Sequence, residues 1–386
     1  MKEIYLDNSA TTPLSDEAKK AMLDAMEVCG NPSSLHSAGL AAEKIVRTAR
    51  ENVAEALGLR SLRDAKLIFT SCGSEASNLA IFGSVYAKAR RTSNRIITTD
   101  SEHPSVENPL RALEKAGFEI IRIPTRGGVL DLDMLDAEAH DVIFASVMMV
   151  NNETGAAYDV KQAFNIIRRK NPQAIIHCDA VQGFLKRRFT AQSLGADLIT
   201  VSAHKIHGPK GVGALYIAPE LIKAKKIVPV LLGGGQEYGF RSGTENTVGI
   251  AGFGAAAKTG FARLEKDLEA MQETKEYIVS SLPSEVKVNT PACESAPHIL
   301  SITLPDIKSE TMLHFLSSRG IYVSSGSACS SHSREPSRSL IAFGLTSHEA
   351  DCTLRISLSS LTKKEDADAL CASLDEGIKT LVKIQR

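Results

Sequence analysis

Tryptophan is absent from the 386 residues, and all aromatic residues together make up only 5%. A core built without large rings must come from Val, Ile, Leu and Ala, which suits buried parallel strands covered by Ala-rich helices. Net charge is lacking too, since 45 Lys plus Arg balance 45 Asp plus Glu. No long-range field draws in a phosphate backbone or an anionic membrane, so direct nucleic-acid binding and membrane-surface attachment are disfavoured. No apolar run reaches the roughly 18 residues of a membrane helix, and the opening MKEIYLDNSATTP lacks the apolar stretch of a secretory signal. The expected compartment is the cytoplasm.

Seven cysteines (Cys29, Cys72, Cys178, Cys293, Cys329, Cys352 and Cys371) form an odd, scattered set with no CxxC pair and no zinc spacing. Neither a disulfide framework nor a metal site is expected. A GxxxxGK[ST] loop is also missing, so any bound phosphate belongs to a small cofactor rather than to ATP.

What is present is an alternation of short aliphatic runs with amphipathic segments, the pattern of βα units in a mostly parallel sheet. Strands are expected at 66–70, 95–99, 119–123, 141–150, 174–178, 197–202 and 212–217, with helices at 74–89, 104–116 and 159–170. Residues 245–282 keep a helical period without proline and end before Pro283, which reads as one connecting helix. Beyond it, strand-like runs at 286–290, 298–304 and 352–358, a helix at 309–319 and a C-terminal helix from Lys363 suggest a smaller α+β domain. Helices at 15–29 and 38–57 precede the first strand. The expected division is an N-terminal segment of residues 1–14 able to pack on either domain, a large α/β domain at 15–255 and a small domain at 256–386.

The chemistry-bearing residues cluster at the carboxyl ends of the expected strands, where such sheets bind ligands. In DLITVSAHKIHGPKG, Lys205 follows the strand directly, while Lys210 sits inside the turn. Desolvation there favours a neutral amine able to form a Schiff base, although a lysine at a strand end, taken alone, is more often simply a surface residue. Asp179 in HCDAVQ is costly to bury unless a cation such as a pyridinium pairs with it, and it is equally readable as a helix N-cap. Gln182 can face the same cleft. The strand–loop–helix stretch IFTSCGSEASNLAI offers free N–H groups, the close approach allowed by Gly73 and the hydroxyls of Ser71 and Ser74 as a phosphate cradle. His103 in SEHPS and Asn151 with Asn152 in VNNETG complete the edge. In YVSSGSACSSHSREPSR, Cys329 lies among small polar residues with no hydrophobic period, as a nucleophile that must move would, whereas Cys29, Cys178, Cys352 and Cys371 read as small buried hydrophobes.

Taken together these stretches resemble the cysteine desulfurases that use pyridoxal 5'-phosphate (PLP), the NifS/IscS-like group I of the class V aminotransferase fold. The resemblance is carried by YLDNSATTP, NPSSLH, TSCGSE, EHPSV, NNETG, HCDAVQ, SAHKIHGPKG, RSGTEN, SSGSAC and LRISL in that order. It implies fold type I, aspartate-aminotransferase-like, with a seven-stranded sheet domain that binds PLP and a small domain that carries the cysteine. It further implies that Lys205 is the Schiff-base lysine, that Gly73, Ser74, Ser202 and His204 hold the cofactor phosphate, and that Thr244 reaches that phosphate from the other subunit of a homodimer. His103 would stack on the ring and move protons, Asp179 would pair with the ring nitrogen, and Gln182 with the phenolic oxygen. Asn152 would face substrate or cofactor, and Arg355 would take the substrate carboxylate through its bidentate fork.

Cys329 would accept the sulfur of L-cysteine as a persulfide, L-alanine would leave, and the sulfur would pass to an acceptor protein for iron–sulfur assembly or thiolation. A selenocysteine lyase or a class V aminotransferase shares the cradle, Asp179 and Lys205, but an aminotransferase has no need of Cys329. A scaffold that had lost activity would not need lysine, aspartate and cysteine intact. The departures from the family pattern are Cys72, Ser74, His207 and the basic Arg334 and Arg338 after Cys329.

Overall fold

The computed structural model describes residues 3–59, 65–87, 93–292, 294–325 and 337–384. Cys329, Cys293 and Arg334 lie outside the described residues.

The chain opens with β1 (Ile4–Tyr5) and two helices, α1 (Asp16–Met26) and α2 (Ser37–Ala56). Ser15 caps α1 by accepting from the Ala18 N–H, and His36 caps α2 by accepting from Gly39. Strand and helix then alternate through β2 (Lys66–Thr70), α3 (Gly73–Tyr86), β3 (Arg95–Thr99), α4 (Pro104–Lys115), β4 (Glu119–Ile123), α5 (Leu132–Glu138) and β5 (Val142–Met148). The series continues with α6 (Val160–Lys170), β6 (Ile175–Asp179), α7 (Ala191–Leu194), β7 (Leu198–Ser202) and β8 (Gly213–Ile217). Among the described residues these strands form one sheet in the order β2-β8-β7-β6-β5-β3-β4. Strand β8 is antiparallel to both of its neighbours, so the other six run in one direction. Every residue of β5, β6 and β7 is buried, which is why these strands read as continuous apolar runs rather than alternating ones. The seven strands fall where the sequence alternation places them, and α6 buries the expected face of Val160, Ala163, Phe164 and Ile167.

After α8 (Pro219–Lys223) come α9 (Thr247–Ala262) and α10 (Leu264–Ser281), followed by β9 (Lys287–Val288), β10 (Ile299–Thr303) and α11 (Ser309–Ser317). The remainder is β11 (Ile321–Tyr322), β12 (Ser324–Ser325), α12 (Arg338–Phe343), α13 (Ser347–Asp351), β13 (Thr353–Ser357) and α14 (Lys364–Thr380). A second, antiparallel sheet has the order β12-β13-β10-β9. Its core of Leu300, Ile302, Leu354, Ile356, Leu370 and Leu374 also takes in Ile4 and Leu6.

The connecting helix is broken where one helix is expected. Arg263, at φ −109° and ψ 3°, separates α9 from α10. The apolar face of α9, with Ile250, Phe253 and Ala257, packs on α1 and α2, whereas α10 packs on α14. A change of packing partner requires a change of axis, and an unbroken period in the sequence does not reveal it. Helix α10 does end in extended backbone at Leu282, before Pro283.

Cys29 is exposed, contrary to its expected place among the buried thiols, because it lies beyond the Glu27 C-cap of α1; Cys178, Cys352 and Cys371 are buried. The N-terminal segment touches both sheets. β1 pairs with β11, Asp7 bridges to Ser357 in β13, and the Thr12 N–H then donates to His204 O beside the large sheet.

Candidate active site

Because six strands share a direction, the loops after β2, β3, β5, β6 and β7 open on one edge of the large sheet. Five stretches singled out in the sequence meet there: Ser71–Ser74, His103, Asn151–Asn152, Asp179 and Ser202–Lys205. Lys205 ends a short 3-10 turn, Ala203–Lys205, that directly follows β7. Its ammonium group donates to the backbone carbonyls of Ser9 and Ala10, the latter at 2.8 Å. Lys210 is exposed in the following turn. The N-terminal strip is bound to this turn at further points: Thr12 Oγ1 donates to His204 O at 3.0 Å, Thr11 Oγ1 lies 3.3 Å from His204 Nδ1, and the His207 N–H donates to Thr12 Oγ1. Segment 9–12 therefore belongs to the site. YLDNSATTP carried the family resemblance, but no spacing in it announces carbonyls that cradle a lysine.

Asp179 is the last residue of β6 and is 5% exposed. Burial pushes its carboxyl up to about 6, against the pull of the Val181 N–H, which it accepts at 3.0 Å, and of the Lys205 charge. A carboxylate in this position is stabilised by a cationic partner on its open side. His103 caps α4, its Nδ1 accepting from the Ser105 N–H at 3.1 Å. That bond leaves the proton on Nε2, and burial, reinforced by the Lys205 and Arg355 charges, lowers the imidazole to about 4. His103 is therefore a neutral ring at pH 7.

The two asparagines of VNNETG separate cleanly. Asn151 Oδ1 accepts from the N–H groups of Glu153 and Thr154 and so builds the turn, while Asn152 Oδ1 is buried without a partner among the described residues. Ser202 Oγ is likewise buried and unpartnered. Gly73 opens α3, and a Cβ there would stand 3.1 Å from Val181 Cγ2 and 3.5 Å from Ser202 Cβ, so glycine is what lets the loop lie against the neighbouring strands. The first-turn N–H groups of α3 have no intrahelical acceptor. Glu75 receives the Ser71 N–H at 2.7 Å and pairs with Arg241 at 2.8 Å, which steadies the loop. Gln182 donates to Ser9 O at 3.0 Å and meets His298 at 3.1 Å, leaving one amide N–H for another acceptor.

Arg355 reaches the same place from β13. Its side chain is 4% exposed, with Nη2 2.8 Å from Asp7 Oδ1 and Nη1 donating to Asn152 O at 3.0 Å. Thr244 is exposed, at the rim of a 200 Å³ cavity shared with Ser71 and Gly211. Sequence reasoning passed over two further buried groups. Glu102, beside His103, accepts from the Met148 N–H and Thr99, and burial followed by the nearby Asp179 raises its carboxyl far above the usual range. Lys186 is 5% exposed with no partner for Nζ among the described residues, and burial lowers it to about 7.

These residues fit PLP. The unpartnered Ser202 Oγ and the turn at Gly73 suit a phosphate, Asp179 suits a pyridinium, and the buried Asn152 Oδ1, in the loop after β5 at the same sheet edge, is left without a partner among the described residues.

Comparison with known proteins gives the same direction. Residues 4–370 match the family described as Aminotransferase class-V. The chain is 38% identical over 386 residues to "Cysteine desulfurase IscS" of Dictyoglomus turgidum, covering 98% of this chain and 95% of that one. It is 36% identical to "Cysteine desulfurase" of Trichormus azollae, covering 99% and 94%. Among solved structures it is similar to a "NIFS-LIKE PROTEIN" with a TM-score of 0.91 and 34% identity, covering 98% of this chain and all of the other. A NifS-like protein from Rickettsia africae follows the fold with a TM-score of 0.87 at 30% identity. By sequence match, fold and the constellation at the sheet edge, this chain belongs to the class V aminotransferase family.

Proposed function

We propose that the protein is a PLP-dependent cysteine desulfurase, which removes sulfur from L-cysteine, releases L-alanine and leaves a persulfide on Cys329. One observation carries the reading: Lys205, held on the Ser9 and Ala10 carbonyls, lies at the same sheet edge as the buried Asp179 and the unpartnered Ser202 Oγ and Asn152 Oδ1. The full-length similarity to cysteine desulfurases supports the substrate.

Lys205 would hold the cofactor covalently, Gly73, Ser74, Ser202 and His204 its phosphate, Asp179 its ring nitrogen and Gln182 its phenolic oxygen. When bound, the cofactor supplies the electron sink for charge at the substrate α-carbon. Arg355 takes the substrate carboxylate, Asn152 orients the bound molecule, and Lys205 moves the α-proton. His103, neutral with its proton on Nε2, would stack on the ring and move protons. The Cys329 thiolate attacks the substrate sulfur. An S–S bond forms, the Cβ–S bond breaks with its electron pair left on carbon, and that carbon takes a proton as alanine.

A homodimer is part of the reading. Val230, Leu231, Leu232 and Tyr238 are exposed large apolar residues in the stretch leading to Thr244, which supports a subunit contact that carries Thr244 to the partner's cofactor phosphate. The persulfide passes to an acceptor protein of iron–sulfur assembly or thiolation. Among the described residues no helix is long and apolar enough to cross a membrane. The five described cysteines are free thiols, which supports action in the reducing cytoplasm.

Borohydride reduction of the PLP-loaded protein followed by peptide mapping tests the assignment of the lysine. The cofactor mass should appear on the peptide containing Lys205; its appearance at Lys210 or Lys186, or on no peptide, would contradict the reading.

A further inference from the structure

The Arg355 guanidinium is almost wholly buried, yet it already carries a carboxylate of its own chain. Asp7 Oδ1 lies 2.8 Å from Nη2, Asn152 O accepts from Nη1 at 3.0 Å, and Nε has no partner among the described residues. The backbone fixes this pairing. Ser357 donates to Leu6 O at 2.7 Å and Asp7 bridges to Ser357, two residues along β13 from Arg355. Lys205 adds positive charge to the pocket: after burial, it and Arg355 are what lower the His103 imidazole and the Lys186 amine. Asp7, 20% exposed at its side chain, is thus a built-in anion where an α-carboxylate must arrive.

We propose that Asp7 is an internal stand-in for the substrate carboxylate: it holds the Arg355 guanidinium in the free enzyme, yields that contact to the incoming carboxylate, and so sets the affinity for α-amino acids. Asp7 is a positioning residue in this role, and the inference rests on Arg355 being the carboxylate site. A buried guanidinium with no counterion is costly, so the stand-in keeps the empty pocket stable at the expense of substrate affinity. The carbonyls that hold Lys205 lie only two and three residues beyond Asp7, so displacement of Asp7 acts on the strip that holds the lysine.

The test titrates the PLP-loaded enzyme with L-alanine and with L-alaninol, which lacks the carboxylate, and reads the change in cofactor absorbance. Asp7→Asn should bind L-alanine about fivefold tighter, the upper range for a partly exposed ion pair, with alaninol unchanged. Asp7→Glu should stay within about twofold of the wild type because the charge is kept. KM for L-cysteine should fall in Asp7→Asn by more than kcat changes, and Asp7→Ser serves if Asp7→Asn does not fold. Equal or weaker L-alanine binding by the neutral variants overturns the proposal. Arg355→Gln isolates the underlying reading: it should abolish the preference for alanine over alaninol, and a preference that survives shows that Arg355 is not the carboxylate site.

Discussion

Asp179 and His177 stand two residues apart on β6 and illustrate what burial does to opposite kinds of group. Asp179 is raised to about 6, so a cationic partner that restores its ionised form gains the interaction that burial withholds. Asp179→Asn should therefore hold PLP at least about tenfold more weakly in equilibrium dialysis, the loss expected when one member of a buried ion pair is removed; unchanged retention would contradict the pairing. His177 is fully buried between Ser146 and Thr200, and burial lowers it to about 3, so the folded protein keeps it neutral while the unfolded chain takes up a proton near pH 6.5. Its contribution is complete above about pH 6.5 and declines by about 1.4 kcal/mol per pH unit as the pH falls from there towards 4. The stability gap between wild type and His177→Gln should narrow from pH 7 to pH 5 in chemical denaturation, and a constant or widening gap would contradict the assignment. At this scale the sequence distinguished Lys205 from Lys210 by distance from the strand end. The residues' own pattern does not distinguish Asn151 from Asn152, which only the family resemblance separates, because both follow β5 and the turn decides which amide is consumed by backbone N–H groups. Asp7, Glu102 and Lys186 escaped notice because their significance lies in partners far away in the chain or in the lack of one.

The elements that carry these residues are positioned by close backbone contacts and by one buried ion pair. A Cβ on Gly213, the first residue of β8, would stand 2.5 Å from Cys72 C and 2.7 Å from Gly73 N, both backbone atoms that cannot swing aside. Gly213→Ala should cost about 1–3 kcal/mol through overpacking and also weaken inorganic phosphate or PLP binding, since the displaced atoms belong to the cradle. A variant with wild-type stability and wild-type affinity would show that the loop is looser than these contacts require. Glu237 takes both Arg50 nitrogens at 2.7 and 2.9 Å and the Phe69 N–H at 2.8 Å, tying β2 to the loop that leads to Thr244. Glu237→Ala should lower stability by about 3–5 kcal/mol, the cost of stranding a buried charge; a loss below about 1 kcal/mol would mean that Arg50 finds another partner. The strands were legible because buried parallel strands are written as apolar runs. The break at Arg263 was not, since each half of the helix keeps its own apolar face and the turn between them follows from what each half packs against.

At the scale of the whole molecule, the N-terminal segment joins the two cores. It pairs with β11, bridges to Ser357 and then binds the turn that carries Lys205, so the arginine of the small sheet and the lysine of the large one are held by residues 7–10. A short segment with little period of its own gives no sign in the sequence that it touches both sheets, whereas the apolar runs mark where the strands lie, though not their order within the sheet. If the exposed Leu231, Leu232 and Tyr238 cover a subunit contact, Leu232→Glu should shift the mass from dimer to monomer in light scattering and weaken PLP retention through Thr244. A wild-type monomer that binds PLP fully would contradict that arrangement. The central claim is sulfur transfer through Cys329, and one measurement meets it directly: incubate the PLP-loaded wild type and Cys329→Ala with L-cysteine and a reductant, and quantify alanine and sulfide together. Equal amounts of both from the wild type and neither from the variant are predicted; sulfide from the variant at the wild-type rate, or no sulfide from the loaded wild type, would contradict the account.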